Sequence, residues 1–79
     1  MFRIGDVVVK AQGDTEFIGE IKSVYELDSG AGNWRIDVRN IVAGARKIVH
    51  IYTPKQVRLA TKIELDKVKI MNKIWDEQV

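Results

Sequence analysis

Between Met1 and Ala60 every apolar run is short, rich in β-branched residues and closed by glycine, proline or a polar cluster, which restricts the chain to a small antiparallel β fold. Val7, Val8 and Val9 follow the Gly5-Asp6 turn and form the first strand. After the polar turn Gln12-Gly13-Asp14-Thr15, a second strand runs from Phe17 to Tyr25. Its apolar residues Phe17, Ile21 and Val24 break strict alternation, so a bulge near Lys22-Ser23 is needed for Ile21 and Val24 to point the same way. A bulge there also bends the strand, as a barrel requires. The loop Asp28-Ser29-Gly30-Ala31-Gly32-Asn33 leads into Trp34, Ile36 and Val38, which alternate with Arg35, Asp37 and Arg39 in a clean period of two. Ala43-Gly44-Ala45 marks the next turn, Lys47 to Tyr52 the fourth strand, Thr53-Pro54-Lys55-Gln56 a 3₁₀ turn, and Val57-Arg58-Leu59 the fifth strand.

Thr61-Lys62-Ile63-Glu64 has the pattern of a capping box and predicts a helix beginning at Lys62. Ile63, Val68, Ile70, Met71, Ile74 and Trp75 fall on one side of that helix. Such a stripe either covers the barrel or meets another helix. Residues 1–60 therefore form the barrel and residues 61–79 a helix packed on it or used in oligomerisation.

With 79 residues the chain can bury only one modest core. It has no cysteine, which excludes disulfides and thiolate metal sites. No apolar run of signal-peptide or membrane-spanning length is present, so the expected location is cytoplasmic. Charge is uneven: from Arg35 to Arg58 the basic residues Arg35, Arg39, Arg46, Lys47, Lys55 and Arg58 face Asp37 alone. That stretch is either a basic surface for phosphate-bearing partners or a set of solvated outer-face residues.

Catalytic groups are scarce. His50, the one histidine, lies in a strand with no local acid to orient it and no metal-ligand partner at a suitable spacing. Gly30-Ala31-Gly32 does not open a helix and reads as a turn. Of the aromatic residues Tyr25, Trp34 and Tyr52, Trp34 shares its face with Ile36 and Val38 and belongs to the core or an interface. If Val49 and Ile51 fill the barrel, then Ile48, His50 and Tyr52 form an outward patch, flanked by Arg35, Arg39, Lys47 and Arg58.

The Gly5-Asp6 turn with Phe17-Ile18-Gly19-Glu20-Ile21 and the proline turn before Val57-Arg58-Leu59 resembles an SH3-like small barrel. More specifically, Gly5-Asp6-Val7-Val8-Val9-Lys10, Gly19-Glu20-Ile21 with Phe17 upstream, Tyr25, and Val49-His50-Ile51-Tyr52 resemble the plasmid-encoded, trimethoprim-resistant dihydrofolate reductases of type B. KOW-like modules and small phage or plasmid proteins with SH3-like folds are looser matches. The reductase resemblance implies a homotetramer around a pore where dihydrofolate and NADPH meet, with Lys10 drawing the anionic ligands and His50, Ile51 and Tyr52 lining the wall. His50 stands where that family has glutamine, Ile48 where it has serine, and the helix from Lys62 onward is an addition.

The expected fold is mainly β, a five-stranded SH3-like barrel with a C-terminal amphipathic helix. The expected function is that of a small noncatalytic binding or assembly module without cofactor, contacting a protein partner or itself, with nucleic acid as a further partner. The alternative implied by the resemblance is an NADPH-dependent dihydrofolate reductase.

Overall fold

The computed structural model describes residues 2–11, 17–28 and 32–78. The strands are β1 (Val7–Lys10), β2 (Ile18–Glu26), β3 (Trp34–Asn40), β4 (Val49–Tyr52) and β5 (Val57–Leu59), with a 3₁₀ turn at Pro54–Gln56 and one helix, α1 (Lys62–Glu77). The expected five strands and C-terminal helix are present. The turn expected at Gln12–Thr15 and the Ser29–Ala31 part of the next loop lie outside the described residues. β4 starts two residues later than expected, because the Ile48 N–H closes a turn on the Ala45 carbonyl at 3.0 Å. No helix among the described residues is long and apolar enough to cross a membrane.

All pairings are antiparallel, in the order β4-β3-β2-β1-β5. Successive hairpins carry β1 through β4, and β5 returns to lie beside β1. Among the described residues no ladder joins β4 to β5. The 3₁₀ turn connects these two edges and touches both β3 and β5, so the sheet curls without closing on itself.

The bulge is where the spacing of Phe17, Ile21 and Val24 demands it. Ile21 pairs with Val38 and Ser23 with Asp37, leaving Lys22 as the extra residue. The resulting change of phase directs both Ile21 and Val24 inward. Val8, Ile21, Ile36, Val38 and Val57 form the inner core, with Phe2, Phe17, Val24 and Tyr52 packed around it. A second cluster of Val9, Ile18 and Val68 lies under the helix, bordered by Val7, Ile41, Val42 and Ala60.

The helix start has the capping box in full: Glu64 N–H donates to Thr61 Oγ1 at 3.2 Å, and Thr61 N–H donates to Glu64 Oε1 at 2.9 Å. The packing of α1 departs from the expectation drawn from its apolar stripe. Only Val68 of the stripe is buried; Ile63, Ile70, Met71, Ile74 and Trp75 are each about half exposed or more. The barrel is met instead along Glu64, Val68, Asn72 and Asp76, one residue per turn. Asn72 accepts from the Ala43 N–H at 2.8 Å and donates to the Ile41 carbonyl at 2.9 Å. Arg46 reaches Asp76 at 3.3 Å, and Arg58 forks onto both Glu64 oxygens at 2.8 and 3.0 Å. These polar contacts with the Ile41–Arg46 loop and β5 orient the helix, and they turn most of the stripe away from the sheet.

The Arg58 fork, with help from the Thr61 N–H, lowers the Glu64 carboxyl from its usual 4.5 to about 2. A carboxylate depressed in the folded state stabilises fully above its unfolded value and loses that contribution as pH falls through its folded value. The tie between α1 and β5 is therefore expected to weaken between about pH 4.5 and 2. Glu64→Gln should lower the melting temperature at neutral pH and flatten its decline over this window. An unchanged slope of melting temperature against pH would contradict the assignment.

Candidate protein-binding edge

β4 forms one outer edge of the sheet. Its register with β3 is Ile36 opposite Tyr52, Asp37 opposite Ile51, Val38 opposite His50 and Arg39 opposite Val49. Since Ile36 and Val38 are fully buried, the even-numbered residues of β4 share the inner face and the odd-numbered ones the outer face. This reverses the phase that would have placed Val49 and Ile51 in the barrel. Val49 is 55% exposed and Ile51 62%, while Tyr52 packs against the inner core.

His50 and Tyr52 meet Phe17 across the inner face. The Phe17 ring lies edge-on to both, with centroids at 4.6 Å from His50 and 5.6 Å from Tyr52, and the His50 and Tyr52 rings stack at 5.8 Å. Phe17 had been assigned to the core strand, and nothing in its local spacing signals this ring cluster. Burial raises the Tyr52 phenol above its ordinary value. Ile48, the remaining member of the expected patch, lies in the turn before β4 and is 48% exposed. The structure thus brings His50 and Tyr52 together on the side opposite Val49 and Ile51.

The backbone of β4 follows the same parity. Asn40 N–H donates to the Ile48 carbonyl at 2.9 Å. In an antiparallel ladder this sets Ile48, His50 and Tyr52 to bond β3 and turns the N–H and C=O groups of Val49 and Ile51 toward the free edge. Side chains and unpaired backbone of the same two residues are therefore both presented outward.

Next to this edge, Asp37 gathers hydroxyls across the bulge. It accepts from Ser23 Oγ at 2.7 Å and from Tyr25 Oη at 3.3 Å. Loss of water around it, followed by the neighbouring Asp37 charge, raises the Tyr25 phenol above its ordinary value. Ser23 and Tyr25 both donate to the one carboxylate, and the three side chains form a polar cluster beside the edge. Among the described residues no group of three His, Cys, Asp or Glu side chains is placed to hold a metal ion.

The basic residues do not present one free cationic face. Arg46 and Arg58 are engaged by Asp76 and Glu64 of the helix. Arg39 Nε donates to the Arg46 carbonyl at 2.7 Å, and Arg35 donates to Asn33 Oδ1 and the Trp34 carbonyl. Lys47 and Lys55 are exposed at either side of β4. Lys10 is exposed at the end of β1, three places from β4 in the sheet order.

Comparison with family models, curated proteins and solved structures finds no match for this chain.

Proposed function

We propose that this protein is a noncatalytic binding and assembly module that takes up an extended segment of a protein partner along the free edge of β4. The observation that carries this reading is the coincidence, at Val49 and Ile51, of unpaired backbone groups with exposed β-branched side chains. Sheet edges are usually blunted by charge, proline or a covering element because they template pairing with another chain. Here Lys47 and Pro54 flank the edge, but the two residues whose backbone faces it, Val49 and Ile51, are apolar. An added strand would gain main-chain hydrogen bonds from Val49 and Ile51 and apolar contact with their side chains. The engagement of Arg46 and Arg58 by helix acids favours a protein partner over nucleic acid.

Peptides selected from a random library against the intact protein test this reading. Bound peptides are expected to slow amide exchange at Val49 and Ile51, and Ile51→Lys should weaken them by about tenfold or more. Selected peptides that leave both amides unchanged would overturn it, as would affinity that collapses steeply with salt, the mark of phosphate contacts. A tetramer that turns over dihydrofolate with NADPH, with activity lost on Tyr52→Phe or Lys10→Met, would replace it with the reductase reading.

A further inference from the structure

The outer face of α1 supports a second interaction, independent of the β4 edge. Ile63, Ile70 and Ile74 are 74%, 61% and 52% exposed. At about 100° per residue, their mean direction lies roughly 180° from that of Val68, Asn72 and Asp76, which face the barrel. The helix therefore has the barrel on one side and an uncovered apolar seam on the other. The spacing of Ile63, Lys67, Ile70 and Ile74 is four, three and four, the repeat of a coiled-coil seam.

We infer that this seam pairs with the same helix of a second copy, in antiparallel orientation. Lys67 and two flanking charges select both occupant and direction. In a parallel pair Lys67 would face its own copy, setting like charges together in the seam. In the antiparallel pair Ile63 meets Ile74 of the second copy, and Lys67 lies beside Ile70, where its aliphatic stem covers apolar surface while the ammonium reaches water. The same register sets Asp66 against Lys73 of the other chain, and the two-fold axis repeats the ion pair. Asp66 and Lys73 are both exposed, and the ion pairs among the described residues are made by other side chains. Because each barrel lies behind its own helix, the two barrels sit on the outside of the pair and do not obstruct it.

Sedimentation equilibrium of the full chain tests the assignment. The protein is expected to be a dimer at tens of micromolar. Asp66→Lys should weaken it by about tenfold, by replacing two attractions with two repulsions. Asp66→Lys combined with Lys73→Asp should restore it, with helical circular dichroism unchanged throughout. Since the chain has no cysteine, orientation can be read by mixing Ile63→Cys chains with Ile74→Cys chains under oxidation. A mixed disulfide dimer is expected. A monomer at several hundred micromolar, absence of rescue in the double variant, or self-linking of Ile63→Cys in preference to the mixed product would each overturn the proposal. Ile51→Lys should leave this dimer intact, which separates its test from that of the β4 edge.

Discussion

Ile21→Ala is expected to destabilise the protein by about 2–5 kcal/mol, a large part of the roughly 5–15 kcal/mol that typically holds a domain folded. Ile21 has no solvent exposure and sits opposite Val38 in the inner core. Its backbone is pinned to the Gly5-Asp6 turn through both polar groups: its N–H donates to the Asp6 carbonyl at 2.9 Å, and its carbonyl accepts from the Gly5 N–H at 2.9 Å. It also adjoins the bulge, whose register fixes where the strand can go. The site therefore cannot collapse onto the space that truncation leaves, and the cavity cost adds to the lost transfer energy. Urea denaturation of Ile21→Ala beside Ile51→Ala gives the comparison. Ile51 is 62% exposed, and its truncation should change stability by no more than about 0.5 kcal/mol. Equal losses for the two variants would refute the placement of the core.

Gly19→Ala is expected to cost about 1–3 kcal/mol through overpacking. A methyl group at this position would lie 2.5 Å from Val38 Cγ1 and 2.6 Å from the Arg39 carbonyl oxygen. The first contact involves a buried β-branched side chain with few rotamers, and the second involves ladder backbone, so neither yields cheaply. Glycine is required here for the close approach of β2 and β3, not for an unusual backbone angle. At Gly5 the reason differs: φ is +96°, and an added methyl would have no neighbour within 4 Å. A Gly19→Ala protein with wild-type denaturation midpoint and slope would show that the two strands are farther apart than described.

The parts of the fold visible in the sequence were those set by neighbours along the chain. Phe17, Ile21 and Val24 required a bulge, Trp34 to Arg39 announced their two faces, and Thr61 with Glu64 fixed the start of α1. The phase of β4 was not legible for a physical reason. Ile48, Val49, His50, Ile51 and Tyr52 are all large or apolar, so either parity buries a plausible set. The choice is made by the hydrogen-bond register with β3, beginning at Asn40 and Ile48, which leaves no mark in local composition. Helix periodicity likewise identified an apolar stripe but not its partner. Asn72 and Asp76 reach the loop before β4, and contacts so distant in sequence decide which way the helix faces. β4 was thus legible as a strand, whereas which of its residues face the core was not.

β1 holds adjacent residues in separate compartments: Val8 belongs to the inner core, and Val9 to the cluster beneath α1. It is also paired along both sides, with β2 and with β5. Opening this strand requires both clusters and two ladders to give way together. β4, paired on one side only and exposed along its outer face, can detach with far less disruption. The molecule's cohesion is consequently graded across the sheet, concentrated in a four-residue strand and lower at the edge assigned to binding, so that a partner can reshape β4 without loosening what keeps the chain folded.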